Sequence, residues 1–345
     1  MKAVVIKGGK GPAEALSLLD SVQAPDAPGP NEAIVKIAAF ALNRMDISQR
    51  NGVYPVPPHA PSTLGVEFSG TIEVIGPDST TDLKVGDRVF GLVAGGAYAE
   101  YVRCSTKLLL PYSEPTTLES TLTFLTAAGI PEVWFTATQV LLQIAQIHLI
   151  KDRIKNVLIH AGASAVGTAA LQLARSVLGP EAKLFATVGS DEKVKFVESV
   201  AGADYGINYK KYDFVKFITD KTDGAGVDVI LDLVGQDYFM KNLTIAATDA
   251  RMVLISTISG GVVEHANIGM ILYKRLRIEG TTLRSRTIEY QSEIKELFQK
   301  YALPHLLSGE FVNPVDKVFS WEDIVQAHKY MESNAAMGKI VCVVD

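Results

Sequence analysis

The sequence predicts an α/β protein of two domains: a mostly antiparallel, barrel-like β-domain and a doubly wound parallel sheet. Short β-rich runs separated by glycines fill the first part of the chain, whereas helix and strand patterns alternate from about residue 125. At 345 residues, the chain is also longer than the size at which one hydrophobic core stops growing. We therefore expect two cores.

The first domain is predicted to contain five strands, because β-rich segments lie between bends that glycines mark. Gly95 and Gly96 mark one such bend. The predicted strands are residues 2–7, 32–38, 66–75, 87–92 and 98–102.

The second domain is predicted to contain six strands with helices between them, as in a complete doubly wound sheet. A helix over 165–178 follows the first of these strands. The strands are residues 157–160, 183–188, 204–208, 227–233, 251–256 and 277–282.

An apolar helical run over 133–150 is predicted to be a buried or interface helix and not a membrane span. Polar side chains interrupt it, among them Gln143 and His148, and these would be costly in lipid. After about residue 286 we expect a helix, a second helix capped by Ser320, and a final strand over 339–344. That strand is expected to return to the first domain.

The run NVLIHAGASAVGT from residue 156 predicts a strand, a small-residue turn and a helix start. This order forms an anion site, because the helix N-terminus offers free N–H groups and a favourable dipole. The turn departs from G-x-G-x-x-G, since Ala165 adds a methyl group where glycine usually lets the backbone approach a phosphate. On the turn alone, pyrophosphate binding and tight helix–strand packing explain it equally well. Ala165 predicts either a pyrophosphate slightly farther from the turn or a shift of the chain that makes room for it.

The end of the second strand of the parallel sheet favours NADPH over NADH. NAD-binding folds place an acidic residue there for the ribose hydroxyl, whereas this strand ends in Val188-Gly189-Ser190. Ser190 can donate to a phosphate oxygen, and Lys193 can supply a positive charge. Asp191 argues the other way, but it stands where an acidic residue interacts with a helix dipole. A solvated helix lysine is the alternative explanation for Lys193.

Composition and charge exclude several classes of protein. The net charge of −5, without a basic stripe, disfavours nucleic-acid binding. The N-terminal residues show no signal peptide, so we expect a cytoplasmic protein without a membrane partner. Cys104 and Cys342 are predicted to pack as small hydrophobic residues, since they form no disulfide or zinc pattern.

Ordered motifs lie along essentially the whole chain: LNRMD from residue 42, LGVEFSG from 64, VGDRV from 85, AGIPEVWFTA from 128, HAG from 160, INYKK from 207, LRSR from 283 and AHKYME from 327. With these motifs the chain resembles the medium-chain dehydrogenase/reductase superfamily, in its zinc-independent quinone oxidoreductase branch. Within that branch the chain resembles the subgroup of quinone reductases that a tumour suppressor induces in animals. The resemblance implies a GroES-like domain over 1–124 and 286–345, and a Rossmann-type NADPH-binding domain over 125–285.

The resemblance also makes the absence of zinc ligands from this sequence informative. Zinc-dependent relatives have cysteine at the position of Asn43, histidine at the position of Val66, and a cysteine-rich lobe that this chain lacks. A catalytic zinc needs three protein ligands. We therefore expect no metal, and substrates that accept hydride without a strong Lewis acid, namely quinones or activated enones. His160 is expected to be structural.

The family pattern implies how NADPH is held. Ser190, Lys193 and Tyr209 are expected around the 2′-phosphate, and Thr136 and Ile255 at the nicotinamide end. An ordinary strand-end aromatic is the alternative for Tyr209. The pyrophosphate is expected on Gly162, Ala163, Ser164, Ala165, Val166 and Gly167.

Asn43 and Tyr54 match polar positions on the substrate side in relatives. Asn43 can hydrogen-bond to a ribose or substrate oxygen, and Tyr54 can donate to the oxygen that gains charge. A loop-stabilising asparagine and a tyrosine packed among prolines are the alternatives. Arg284 and Arg286 are expected at the surface unless they shape the cofactor or dimer edge.

The resemblance implies an NADPH-dependent quinone oxidoreductase without zinc. It also implies a homodimer formed through the edge strand over 277–282. Two other functions stay open: reduction of activated C=C bonds, as in enoyl reductases, and a non-catalytic NADPH-binding protein with an RNA-binding or structural role.

Overall fold

The computed structural model describes residues 1–58, 60–113 and 122–344. They form two compact units, which we call the antiparallel unit (Met1–Phe135 with Leu283–Asp345) and the parallel unit (Thr136–Thr282). The predicted fold class, a doubly wound parallel sheet plus a mostly antiparallel domain, is confirmed. The predicted domain ranges, 1–124 with 286–345 and 125–285, stay a prediction.

The strands and helices follow the predicted order along the chain. The strands are β1 Ala3–Ile6, β2 Leu16–Leu19, β3 Glu32–Ala41, β4 Glu67–Ile75, β5 Arg88–Leu92, β6 Tyr101–Ser105, β7 Leu109–Pro111, β8 Asn156–Ile159, β9 Lys183–Val188, β10 Tyr205–Asn208, β11 Val227–Asp232, β12 Ala246–Leu254, β13 Arg277–Gly280, β14 Val315–Ser320 and β15 Lys339–Val343. The helices are α1 Arg44–Arg50, α2 Phe124–Ala128, α3 Pro131–Thr138, α4 Ala165–Leu178, α5 Asp191–Ser199, α6 Phe214–Lys221, α7 Gln236–Ile245, α8 Gly269–Tyr273, α9 Ile288–Tyr301, α10 Leu303–Leu307 and α11 Ile324–Glu332.

The antiparallel unit is built on a sheet with the order β14-β15-β3-β4-β5-β7, with β6 also pairing with β3. Strand β15 pairs antiparallel with β3, which places Val341 opposite Ala41. The expectation that the last strand returns to the first domain is therefore confirmed. Phe40, Phe68 and Trp321 lie in its core, and Cys342 is buried there as predicted.

The parallel unit holds a six-stranded sheet with the order β10-β9-β8-β11-β12-β13, in which every pairing is parallel. Numbered from β8, this order is 3-2-1-4-5-6, the arrangement of dinucleotide-binding sheets. The chain order reverses between β8 and β11. In such sheets the ligand binds beyond the carboxyl ends of the strands at this position.

Several sequence predictions differ from the structure. Strands β2 and β7 are not among the five strands predicted for the first domain. The helix predicted over 133–150 is interrupted: α3 ends at Thr138, a π-helical segment covers Gln139–Ile144, and Gln146 has a φ of 53°. The side chain of Gln139 donates to Thr281 Oγ1 at 3.0 Å, so this polar residue is directed inward at the irregular segment. The strand predicted at 98–102 begins only at Tyr101. Among the described residues, no helix combines the length and apolarity needed to cross a membrane.

Candidate functional site

The turn after β8 leaves backbone donors at the start of α4. Ser164 caps this helix, and its Oγ accepts the N–H of Gly167 at 3.1 Å. The N–H groups of Ala165 and Val166 begin the helix and have no acceptor within it. Binding of a pyrophosphate by these two groups stays a prediction.

The glycines of this turn are required by packing. A Cβ on Gly162 would lie 2.7 Å from Ala186 Cβ, and one on Gly167 would lie 2.5 Å from the oxygen of Ala161. Both contacts are closer than a side chain tolerates. The two explanations of the turn therefore apply to different groups: the glycines let helix and strands pack, and the N–H groups stay open to a ligand.

Four of the predicted cofactor positions follow strands of the parallel sheet. The turn at Gly162 follows β8, Ser190 follows β9, Tyr209 follows β10 and Ile255 follows β12. The carboxyl ends of parallel strands share one edge of a sheet, so the fold brings these positions to the same edge. Thr136 lies in α3 and is buried.

Ser190 and Tyr209 both lie near the end of β9. Ser190 caps α5, and its Oγ accepts the N–H of Lys193 at 3.3 Å, which leaves the hydroxyl proton for a ligand oxygen. The N–H of Tyr209 donates to the oxygen of Val188 at 3.1 Å. The Tyr209 hydroxyl lies 3.1 Å from the position that a Cβ on Gly189 would take. Lys193 stands in the first turn of α5, beside this strand end.

The acidic residue at this strand end is already engaged. Asp191 Oδ1 accepts from Asn208 Nδ2 at 2.7 Å, and Oδ2 pairs with Lys211. The hydrogen bonds from Lys211 and Asn208 lower the pKa of Asp191. Its two oxygens thus bind protein donors, which reduces its value as an acceptor for a ribose hydroxyl.

A pocket of about 350 Å³ lies next to Tyr209 and combines cations with aromatic rings. Lys241 Nζ lies 5.7 Å from the centroid of the Phe214 ring and 5.5 Å from that of Tyr238. Such a lining suits a ligand with phosphate groups and a flat ring. The lining residues are Tyr209, Lys210, Lys211, Tyr212, Asp213, Phe214, Tyr238 and Lys241.

His160 belongs to a closed hydrogen-bond network inside the parallel unit. Its Nδ1 bonds to Thr187 Oγ1 at 2.8 Å and its Nε2 to Asn242 Oδ1 at 2.7 Å. Asn242 Nδ2 in turn donates to Asp232 Oδ2 at 3.1 Å. Burial lowers the pKa of His160, so the ring is neutral. Both ring nitrogens have protein partners, which fits the structural role expected for this residue.

In the antiparallel unit, Asn43 is bound on both sides of its amide. Its Nδ2 donates to Glu67 Oε1 at 2.8 Å, and its Oδ1 accepts from Lys339 Nζ at 2.9 Å. Lys339 Nζ also donates to Glu67 Oε1 at 2.5 Å and to the oxygen of Leu42 at 2.9 Å. These contacts give Asn43 the structural role of the alternative explanation, but its second amide N–H can still donate to a ligand.

Glu132 lies beside this group and is incompletely bonded. Its backbone N–H donates to Glu67 Oε2 at 2.9 Å, yet its own Oε2 has no hydrogen-bond partner in the described part of the chain. Only 6% of the residue is exposed. Burial, and secondly the neighbouring Glu67, raise the pKa of Glu132 to about 8. This carboxyl group therefore holds a proton at neutral pH.

Tyr54 is half-buried against Arg284, whose guanidinium carbon lies 5.3 Å from the ring centroid. Burial raises the pKa of Tyr54, Glu132 raises it further, and Arg284 opposes this. The phenol is therefore protonated at neutral pH and can donate a hydrogen bond.

The expectation that Arg284 lies at the surface is wrong. Only 2% of the residue is exposed; its Nε donates to the oxygen of Ala94 at 2.7 Å and its Nη1 to Gln49 Oε1 at 2.8 Å. A buried guanidinium needs such acceptors, and residues distant in sequence supply these two. Arg284 Nη2 has no hydrogen-bond partner in the described part of the chain. Arg286 is exposed.

A chain of buried hydrogen bonds fixes the start of α1, directly after Asn43. Asp46 Oδ2 accepts from the N–H of Asn43 at 2.8 Å and from the Tyr98 hydroxyl at 3.0 Å. His328 Nε2 lies 3.3 Å from that hydroxyl, and His328 Nδ1 lies 3.0 Å from Arg50 Nη1. Burial raises the pKa of Asp46 to about 6. The backbone that presents Asn43 is thus held from inside the core.

Sequence reasoning missed Glu67, Glu132 and Lys339. Each is a single charged residue within an apolar run: VEF, PEVW and GKIV. A lone charge in a segment that is otherwise suited to a core was the available signal. Within the described residues, no three His, Cys, Asp or Glu side chains come together as a metal site.

Known proteins match the chain over nearly its whole length. Residues 29–114 match the alcohol dehydrogenase GroES-like domain, which confirms that part of the predicted fold, and residues 165–302 match the zinc-binding dehydrogenase model. Quinone oxidoreductase of Rattus norvegicus is 30% identical over 348 residues, which cover 99% of this chain and 97% of that protein. Escherichia coli quinone oxidoreductase complexed with NADPH has a TM-score of 0.80 at 28% identity and 99% coverage of both chains. The JamJ enoyl reductase in its apo form has a TM-score of 0.81 at 25% identity, covering 100% of this chain and 99% of that one.

Proposed function

Because the chain belongs to the quinone oxidoreductase family of medium-chain dehydrogenases and reductases, we propose that it reduces quinones with NADPH. One observation carries the choice of cofactor. The carboxyl edge of the parallel sheet combines the free helix N-terminus at Ala165 with a strand end whose acidic residue is bound elsewhere. Ser190 and Lys193 supply a hydroxyl and a positive charge at that strand end instead.

The donors at this edge fit a dinucleotide that carries an extra phosphate. The N–H groups of Ala165 and Val166 are assigned to the pyrophosphate, and Ser190, Lys193 and Tyr209 to the 2′-phosphate. Thr136 and Ile255 are assigned to the nicotinamide end. NADPH supplies the hydride when it is bound, and the protein positions it.

The polar groups of the antiparallel unit act on the substrate in this proposal. Tyr54 donates a hydrogen bond to the substrate oxygen that gains charge, since its phenol stays protonated. The second N–H of Asn43 donates to a ribose or substrate oxygen. We expect Tyr54→Phe to lower kcat for quinone reduction about tenfold, as one charge-stabilising hydrogen bond is lost. Steady-state kinetics at saturating NADPH measure this; an unchanged kcat contradicts the role of Tyr54.

The variant Lys193→Glu tests the cofactor. It replaces a cation near the 2′-phosphate by an anion, so we expect the NADPH affinity to fall about ten- to hundredfold while NADH is little affected. The ratio of kcat/KM for NADPH and NADH, and the Kd of each cofactor, are the measurements. Lys195→Glu, two residues along on α5, is the matched control. Equal relative use of the two cofactors by wild type and Lys193→Glu would refute the NADPH assignment.

Reduction of activated C=C bonds is the second candidate, because the fold is shared with the JamJ enoyl reductase. Measuring NADPH oxidation with a panel of ortho-quinones, para-quinones and enones distinguishes quinone reduction from enone reduction. Turnover of quinones at a higher kcat/KM than of enones supports quinone reduction, and the reverse order supports enone reduction.

The proposed reaction needs no zinc, because Asn43 and Val66 stand where zinc-dependent relatives have cysteine and histidine. Full activity of protein whose metal content is below one-tenth of an equivalent, measured by elemental analysis, is the expected result. We also propose that the protein acts in the cytoplasm, which imaging of a tagged chain tests.

A homodimer is proposed through the edge of the parallel sheet. Strand β13 ends that sheet, and the apolar side chains of Ile268, Leu272 and Tyr273 just before it are 72%, 73% and 82% exposed. An edge strand beside an exposed apolar surface favours pairing with a second copy of the chain. Sedimentation analysis should show a dimer that Leu272→Glu dissociates and the exposed control Val85→Glu does not. A wild-type monomer would exclude this arrangement.

A further inference from the structure

The buried charges of the antiparallel unit are unevenly provided with hydrogen bonds. Asp46 accepts from the Tyr98 hydroxyl and from two backbone N–H groups, those of Asn43 and Gly65. Glu67 accepts from Lys339, from the Asn43 amide and from the N–H of Glu132. Of these three acids, only Glu132 keeps a side-chain oxygen, Oε2, without any donor.

A buried carboxylate oxygen without a donor is costly, because it gives up its water and receives nothing in return. Glu132 lowers this cost by holding a proton. The groups that act on it are Glu67 and Asp46, which favour the protonated form, and Lys339 and Arg284, which favour the ionised form. Glu132 Oε2 is buried and has no hydrogen-bond partner in the described part of the chain, so its O–H group is available only to a ligand that reaches this buried position.

We propose that Glu132 is the acid that delivers the proton required when a quinone is reduced by hydride. The proposal rests on the quinone reductase activity proposed above. It separates two roles within the site: Tyr54 stabilises charge on the substrate oxygen through a hydrogen bond, and Glu132 transfers the proton itself.

The step balances in atoms and electrons. The hydride of NADPH carries two electrons to the quinone, which becomes the hydroquinone anion, and NADP⁺ is released. The O–H bond at Glu132 Oε2 breaks as a new O–H bond forms on the substrate oxygen, giving the hydroquinone. The carboxylate left at Glu132 is stabilised by Lys339 and Arg284 and then takes a proton from solvent.

An acid suits this task when its pKa lies near the working pH. Glu132, with a pKa raised to about 8, meets this condition, whereas the pKa of Tyr54 is raised from a value that is already high. At a pH near 8, Tyr54 therefore keeps its proton, whereas Glu132 can transfer its proton.

The variant Glu132→Gln removes the transferable proton and preserves the size of the side chain. We expect kcat for quinone reduction to fall about 100-fold or more, with the Kd of NADPH unchanged. In wild type, kcat should decrease as the pH rises through about 8, and this decrease should vanish in Glu132→Gln. Glu181→Gln, at an exposed site of the parallel unit, is the matched control and should behave as wild type.

A second measurement needs neither cofactor nor turnover. Infrared difference spectra of the protein between pH 6 and pH 10 should show the C=O stretch of a protonated carboxyl group disappear, about pH 8. Glu132→Gln should lack this signal, and Glu181→Gln should retain it. Glu132→Asp keeps a carboxyl group in case Glu132→Gln does not fold, and should retain the pH-dependent decrease at a lower kcat.

The outcomes distinguish this proposal from the one on which it rests. If wild type oxidises no NADPH with any quinone, the quinone reductase activity and the proton donor are both refuted. If wild type is active and Glu132→Gln keeps its kcat and pH profile, only the role of Glu132 is refuted. An infrared signal that persists in Glu132→Gln likewise overturns the assignment of the proton to this residue.

Discussion

The two units each bury an ionisable network, but only one network is closed. In the parallel unit, Asn242 bonds to both His160 and Asp232, and both nitrogens of the histidine ring have partners. In the antiparallel unit, Lys339 and Glu67 are fully engaged, and the adjoining Glu132 is left with a bare oxygen. A complete network fixes a core, whereas a buried group without a partner points to a ligand.

Among the residues of the two networks, we expect substitution of Lys339 to have the largest effect on stability. Its side chain is 3% exposed and that of Glu67 0%, so Lys339→Met leaves a buried carboxylate uncompensated. We expect a loss of about 4 kcal/mol in the free energy of unfolding of the antiparallel unit. Urea denaturation followed by a probe in this unit, such as the fluorescence of Trp321, measures it.

The double variant Lys339→Met with Glu67→Gln is the control for that change. It removes both charges, so we expect it to recover at least half of the lost stability. A double variant as unstable as Lys339→Met alone would show that packing and not charge decides the effect.

A substitution in the closed network of the parallel unit should reduce stability less, and it should not affect proton transfer. Asn242→Leu leaves His160 Nε2 and Asp232 Oδ2 without their partner, which we expect to cost about 3 kcal/mol. Activity per folded molecule and its pH profile should not change. Thr244→Val, on the exposed side of α7, is the matched control and should cost less than about 0.5 kcal/mol. A changed pH profile in Asn242→Leu would abolish the distinction between the two networks.

A pH effect is expected from His328, which joins the network of the antiparallel unit through Tyr98. Burial, and secondly Arg50, lower its pKa to about 3, whereas an unfolded histidine titrates at about 6.5. Below pH 6.5 the unfolded chain therefore binds a proton that the folded one does not, and stability is lost as the pH falls. Between pH 7 and pH 5 this amounts to about 2 kcal/mol.

The variant His328→Gln isolates this term, because glutamine does not titrate and can still accept from Arg50. We expect the difference in unfolding free energy between wild type and His328→Gln to shrink by that amount over the same pH range. An equal difference at both pH values would mean that His328 takes up its proton in the folded protein over the same pH range as in the unfolded chain.

Local patterns in the sequence predicted much of the fold. The helix over 165–178 and the strand over 183–188 agree with α4 and β9, because apolar periodicity and a capping residue act over a few neighbouring residues. The interrupted helix after Thr138 was not predictable in this way. Its irregular turn depends on bonds from Gln139 to Thr281 and from Arg251 to Ala145, which are distant in sequence.

The candidate site was likewise predictable from the sequence only in part. The family pattern directed attention to Asn43 and the turn at Gly162, which lie in recognisable motifs, and to Tyr54, which matches a polar position in relatives. Neither the burial of Arg284 nor the proximity of Glu67 to Glu132 leaves a local trace, because each depends on segments far apart along the chain.

The sequence by itself determined that this chain has a doubly wound sheet, with a small-residue turn between its first strand and helix, and a second, antiparallel domain. These features follow from periodicity, turn residues and motif spacing, all of which are local. Only the tertiary structure decided which charged residues are buried and which of them are fully bonded. The free energy of a buried charge depends on every donor and acceptor that the fold brings within hydrogen-bond distance, and at Glu132 Oε2 the fold brings none.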